Sequence, residues 1–164
     1  MILSFSEYIN ETKSSGTFIG VKLSPNSQEL IMDLIRKLKV PSSIKKEDMH
    51  VTLIYSKKGF PNKEWNKNDK LIINETATPI KLDWLGDDKN CLVLLLNSPY
   101  LIKRNKEITK KYGAISDYDK YHPHVTLAYN IKDYTIPDNI KLPKELSLIS
   151  EYYTELEEDW ANNK

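Results

Sequence analysis

Residues 49–55 read M-H-V-T-L-I-Y and residues 121–129 read Y-H-P-H-V-T-L-A-Y. Two of the chain's three histidines, His50 and His124, therefore open the same H-V-T-L-x-Y phrase. A short run rich in Val, Thr, Leu and Tyr reads as a strand. Alternation along a strand sets His50 and Thr52 on one face and Val51, Leu53 and Tyr55 on the other. The second copy sets His124 and Thr126 against Val125, Leu127 and Tyr129. Each strand is expected to offer one packed face and one face bearing an imidazole and a hydroxyl.

Working outward, both copies follow the same kind of context. G-T-F-I-G-V-K-L at 16–23 has strand character and is stopped by S-P-N. Leu30, Ile31, Leu34, Ile35 and Leu38 then recur at spacings of three and four, which predicts an amphipathic helix ending before Pro41. After the first H-V-T-L strand, the polar stretch S-K-K-G-F-P-N-K-E-W-N-K-N-D-K reads as a long loop suited to controlling ligand access. Strands are expected at 71–84 and 90–96, joined by the turn G-D-D-K-N. A helix over 99–112 carries Leu101, Ile108 and Tyr112 on one side and stops at Gly113. A final strand is expected over 146–156. The succession strand, helix, loop, H-V-T-L strand occurs once in each half, the mark of a duplicated unit. Residues 1–164 are expected to form a single domain of two pseudo-repeat lobes, with the motifs at 50–53 and 124–127.

Composition narrows the function. The 24 Lys and Arg nearly balance 23 Asp and Glu, giving a net charge of +1. This is no basic surface for duplex nucleic acid or a membrane, so an anionic ligand has to be held locally. Cys91, the single cysteine, excludes an internal disulfide and a cysteine-based zinc site, fits a reducing cytoplasm, and lies in an apolar run that favours inert burial. No signal peptide or membrane-length apolar run is present, so a cytoplasmic location is expected.

If a pseudo-twofold relates the halves, the two His-Thr pairs converge on one cleft. Two imidazoles flanking a phosphodiester divide the work, one accepting a proton from the attacking hydroxyl and the other donating one to the leaving oxygen. Two threonine hydroxyls then donate to the nonbridging oxygens, where charge must be stabilised. His122, in H-P-H, opens a metal-site alternative with His124 and His50. That alternative leaves the threonines without a task, so no metal and no cofactor are expected, and His122 is read as a helper or strand-entry residue. In the last strand, alternation groups Glu151, Tyr153 and Glu155 opposite Leu146, Leu148, Tyr152 and Leu156. With the apolar face inward, those carboxylates line the cleft, to meet a base edge or orient a histidine. Lys57, just past the first motif, is placed to meet phosphate.

The paired H-V-T-L phrases resemble the two-histidine (2H) phosphoesterase superfamily. That resemblance implies an α+β, bilobal, pseudo-symmetric fold in which two antiparallel sheets flank a central cleft, with helices on the outside. Within the superfamily, G-T-F-I-G-V-K-L-S-P-N-S, M-H-V-T-L-I-Y-S-K-K and Y-H-P-H-V-T-L-A-Y are similar to the bacteriophage anti-CBASS phosphodiesterases. The resemblance implies cleavage of cyclic di- and trinucleotide signals such as cGAMP, in the host cytoplasm, so that CBASS effectors are never switched on. It places the catalytic pairs at His50, Thr52, His124 and Thr126. Phe18 takes the position of a base-stacking aromatic, and a functional glutamate is expected near Glu151 or Glu155. Trp84 is the candidate for a second base platform. The expected partner is a cyclic oligonucleotide, with no duplex nucleic acid, membrane or obligate protein partner. The rival readings are a 2H enzyme acting on linear RNA ends or 2',3'-cyclic phosphates, and a noncatalytic nucleotide-binding module.

Overall fold

The computed structural model describes residues 14–86, 90–116 and 119–157. Strand β1 (Ser14–Leu23) leads into helix α1 (Pro25–Leu38), a short 3-10 turn (Lys46–Asp48) and strand β2 (Val51–Ser56). Strands β3 (Lys70–Leu85) and β4 (Cys91–Asn97) follow, then helix α2 (Pro99–Tyr112), β5 (His124–Tyr129) and β6 (Leu146–Glu157). The turn expected at G-D-D-K-N falls largely on residues 87–89, outside the described residues.

Both helices begin with Ser-Pro. Ser24 accepts a hydrogen bond from the Ser27 N–H at 3.1 Å, and Ser98 accepts one from the Leu101 N–H at 3.2 Å. Each serine satisfies an orphan donor of the first turn, while Pro25 and Pro99 occupy positions that lose no bond by lacking an N–H. Helix α2 stops at Gly113, whose φ of 67° is the left-handed conformation that glycine adopts without strain. Helix α1 buries Ile31, Leu34, Ile35 and Leu38; Leu30, expected on that stripe, lies at its edge and is exposed.

The strands are all antiparallel and follow the order β1-β2-β5-β4-β3-β6, closing because β6 pairs with both β3 and β1. Exchanging β1 for β4, β2 for β5 and β3 for β6 maps this ring onto itself. The two sheets expected from sequence are thus joined edge to edge. At the centre of the symmetry, β2 and β5 meet through one residue pair, Val51 with Val125. Across that seam the Tyr121 hydroxyl donates to the Thr52 carbonyl at 2.8 Å.

Directly paired residues on neighbouring strands share a face. Ile19, Val21, Val51, Leu92, Leu94 and Val125 lie on one face and form a single core with the helix residues Ile31, Leu34, Leu101 and Ile108. The other face carries the motif histidines and threonines. These are the helix face and the motif face below.

Candidate active site

The two motif strands share a defect as well as a sequence. On β2, Ile54 pairs with Ile19 and Thr52 with Gly20, so Leu53 is an extra, bulged residue. On β5, Ala128 pairs with Leu92 and Thr126 with Val93, which leaves Leu127 as the bulge. Each bulge carbonyl is satisfied from elsewhere: Leu53 by the Asn105 amide of α2 and Leu127 by the Ile44 N–H, both at 2.8 Å. Both bulged leucines and the residues after them are buried. The consequence corrects strict alternation. Tyr55 pairs with Phe18, and Tyr129 pairs with Cys91, so both tyrosines fall on the motif face instead of opposite it.

The histidines are anchored alike. His50 Nδ1 lies 2.9 Å from the Asp48 carbonyl oxygen, and His124 Nδ1 lies 2.8 Å from that of His122. A carbonyl only accepts, so Nδ1–H donates in both rings and Nε2 of the neutral imidazole keeps its lone pair for a ligand. His122 is exposed, and its carbonyl is the group that fixes His124. Burial holds the His124 pKa below the ordinary histidine value, and positive charge on His50 and His122 pushes it the same way, against the opposing effect of the His122 carbonyl. His124 is therefore poised to be neutral.

The wall beside His50 is aromatic. Phe18 meets the His50 ring edge-on, with centroids 5.7 Å apart, and Tyr152 packs against Phe18 at 5.9 Å. Lys22 places its ammonium 5.1 Å from the Tyr152 ring centre. The wall beside His124 is different: Leu95 pairs with His124 and Val93 with Thr126. Lys81 and Asp83 follow on β3, their charged groups 3.5 Å apart. Cys91, expected to be buried, is half-buried on this side. Lys57 stands past the end of β2 with an exposed side chain, its N–H bonded to the Ile115 carbonyl.

Three sequence-derived site residues are not brought to the histidines. On β6 the pairings Ser150 with Lys22 and Leu148 with Leu23 leave Ile149 bulged. This reverses the parity downstream, so Glu151 pairs with Val21 and Glu155 with Thr17 on the helix face, and Tyr152 turns to the motif face. Glu151 is fully buried and saturated. It accepts from Trp65 Nε1 at 2.9 Å, from Arg104 Nε at 2.9 Å and Nη2 at 3.0 Å, and from the Tyr100 hydroxyl. Glu155 is exposed on the same side. Trp84 pairs with Leu92, also on the helix face, and stands edge-on to Tyr134 at 6.5 Å.

The loop after β2 likewise closes over the helix face. Its Phe60 stacks on Tyr112 with centroids 4.8 Å apart, and its Trp65 is fully buried against Tyr153 and bonded to Glu151. These contacts pin the loop to the core, away from the histidines. Tyr152, like Tyr55 and Tyr129, is a motif-face residue that the sequence pattern placed on the other side. For Tyr152 the signal was the consecutive pair Leu148-Ile149, which breaks alternation.

Among the described residues, no group of three or more His, Cys, Asp or Glu is arranged to hold a metal ion. No helix is long and apolar enough to cross a membrane, again among the described residues.

The closed antiparallel ring with its two central histidine strands is the fold of the 2H phosphoesterases. Solved structures agree on the fold: Escherichia coli LigT complexed with phosphate superposes with a TM-score of 0.55 at 15% identity, covering 88% of this chain and 96% of that one. LigT complexed with 3'-AMP gives 0.53 at 16% identity, covering 87% and 95%. The sequence model of anti-CBASS protein Acb1 matches residues 15–163, and the chain belongs to that family. Over 151 residues it is 31% identical to the anti-CBASS protein Acb1 of Enterobacteria phage T4 and 32% identical to that of Yersinia phage phiR1-RT. Each alignment covers 92% of this chain and 94% of the relative.

Proposed function

We propose that the protein is a metal-independent phosphodiesterase that opens cyclic di- and trinucleotide signals, so that CBASS effectors are not activated. Membership in the anti-CBASS family supports the biological role. The chemistry rests on one observation: both histidines use Nδ1 on the carbonyl two residues back and leave Nε2 for the substrate.

His124, held toward its neutral form, is the base and removes the proton of a ribose 2'-hydroxyl. The 2'-oxygen attacks the adjacent phosphorus, which proximity favours. The bond from phosphorus to the 5'-oxygen breaks, and His50 supplies the proton that this oxygen needs. The ring opens to a 2',3'-cyclic phosphate end. Thr52 and Thr126 donate to the nonbridging oxygens as negative charge develops on them. Phe18 supplies a stacking face for a base beside His50.

A chromatographic assay of cyclic di- and trinucleotides beside a linear oligonucleotide tests this reading. The cyclic substrates should be opened over many turnovers, in the presence of excess EDTA, and a linkage lacking its 2'-hydroxyl should resist. Loss of activity on chelation with recovery on adding a divalent ion would replace the scheme with a metal one built on His50, His122 and His124. Cleavage of the linear oligonucleotide alone would reassign the substrate to RNA ends.

A further inference from the structure

Tyr152, Gly20 and Thr52 stand side by side on three adjacent strands, β6, β1 and β2, and all face the motif side. Gly20 has no side chain, and the Tyr152 ring fills the space that one would occupy. A Cβ built on Gly20 would lie 2.2 Å from Tyr152 Cζ and 2.3 Å from its hydroxyl oxygen. The phenol thus reaches across β1 toward Thr52. Directly paired residues hold their Cβ atoms about 5 Å apart, so the Tyr152 hydroxyl is within about 8 Å of the Thr52 Cβ. A phosphate bonded to the Thr52 hydroxyl spans much of such a gap.

The ring is held at this height from two sides. Phe18, itself against His50, packs on it at 5.9 Å, and the Lys22 ammonium sits 5.1 Å from its centre. The position is therefore built from four motif-face residues of β1 and β6, and the scheme above uses only Phe18 among them.

We infer that the Tyr152 hydroxyl is a third hydrogen-bond donor to the scissile phosphate, and that Gly20 is required because it lets the phenol reach there. The inference rests on the phosphodiesterase reading above. Burial raises the Tyr152 pKa to about 12, so the phenol keeps its proton, and remains a donor, throughout the pH range in which histidines act. The threonines are placed symmetrically about the β2–β5 seam. Tyr152 breaks that symmetry and puts one extra donor on the His50 side, where the leaving 5'-oxygen takes its proton.

The test compares wild type, Tyr152→Phe and Gly20→Ala on two substrates, a 3',3'-cyclic dinucleotide and the minimal 2',3'-cyclic UMP. The latter has no free 2'-hydroxyl, so water attacks its phosphorus, His124 takes the water's proton, the bond from phosphorus to the 2'-oxygen breaks, and His50 protonates that oxygen. Tyr152→Phe keeps the ring and its packing and removes only the hydroxyl. It should lower kcat about 10- to 100-fold on both substrates with KM little changed, because the phosphate and not the base is affected. Gly20→Ala, which displaces the ring, should give a loss at least as large. Wild-type kcat in Tyr152→Phe, or a rise in KM on the dinucleotide alone, would overturn the inference and leave Tyr152 a packing or base-stacking residue. If the wild type cuts 2',3'-cyclic UMP but no cyclic dinucleotide, the cyclic-signal reading falls while the hydroxyl is still judged by Tyr152→Phe on the smaller substrate. A wild type that turns over neither substrate overturns both.

Discussion

Strands β2 and β5 are nearly the same object. Each carries His and Thr on one face, a bulged Leu, a displaced Tyr, and an imidazole whose Nδ1 is tied to the carbonyl two residues back. Their neighbours are not the same. Beside β2 stand Phe18, Gly20, Lys22 and Tyr152; beside β5 stand Val93, Leu95 and the Lys81-Asp83 pair. A phosphodiester cleavage needs one proton taken and one given, which a twofold pair of identical groups supplies. A particular nucleotide has no twofold axis, so the groups that recognise it need not repeat. On the reading proposed above, the motifs take and give the protons, and the β1–β6 wall adds the groups that do not repeat, a stacking face at Phe18 and a phosphate donor at Tyr152.

The sharpest way to break the equivalence of the motifs is to remove each imidazole in turn. His50→Ala and His124→Ala should each lower turnover by about two to four orders of magnitude while far-UV circular dichroism stays unchanged. If either variant turns over near the wild-type rate, the two histidines do not divide the work. Thr52→Ala and Thr126→Ala should be milder and similar to one another.

The motif face and the helix face should respond differently to mutation, the first in turnover and the second in stability. Arg104 neutralises the buried Glu151 and also reaches Glu64 at 3.0 Å. Arg104→Met leaves a buried carboxylate without its ion partner and should destabilise the fold by about 3–5 kcal/mol in denaturant titration. Glu151→Gln should also lower stability, with KM for the cyclic substrate unchanged in the surviving folded protein. A large KM increase in Glu151→Gln at a temperature where it is folded would return this glutamate to the substrate.

Recognition is probed one step down. Phe18→Ala removes a stacking face beside His50 and should raise KM about tenfold with a smaller effect on kcat, since stacking on an aromatic is worth about 1–3 kcal/mol per base. Leu95→Ala, on the corresponding wall beside His124, should raise KM less. Equal effects would show that both walls bind bases and would remove the asymmetry.

What the sequence made readable follows the range of the forces involved. The motif strands, both helices and the Gly113 stop depend on alternation, spacing and a single backbone angle, all local, and each is found where expected. The bulges at Leu53, Leu127 and Ile149 depend on what the partner strand offers, so simple alternation passed over them. A trace was present nonetheless: in V-T-L-I, V-T-L-A and L-S-L-I two apolar residues stand in succession where alternation demands a polar one. Missing the third bulge turned β6 over, which moved Glu151 and Glu155 into the expected cleft and Tyr152 out of it. Trp65 was equally opaque. A tryptophan among Lys, Asn and Glu reads as an exposed loop residue, and its partner Glu151 is distant in sequence. The match between its indole N–H and a buried carboxylate is a tertiary fact.

The smallest expected effect separates the two histidines by pH. Burial disfavours the imidazolium of His124 and is the leading cause of its lowered pKa, with the charges of His50 and His122 adding to it. As the base, His124 has to be neutral, so kcat/KM should rise with pH as it loses its proton. The midpoint of that acid limb should lie below about 6.5, the value of an unperturbed histidine. Replacing the exposed His122 by Gln removes one of the two charges while keeping the backbone carbonyl that anchors Nδ1. The acid limb of His122→Gln should therefore move up in pH by a small amount, because burial still acts, and its plateau should stay near wild type. A downward move would mean that His122 helps His124 hold its proton. An unmoved acid limb, with the alkaline limb shifted instead, would make His124 the acid and His50 the base.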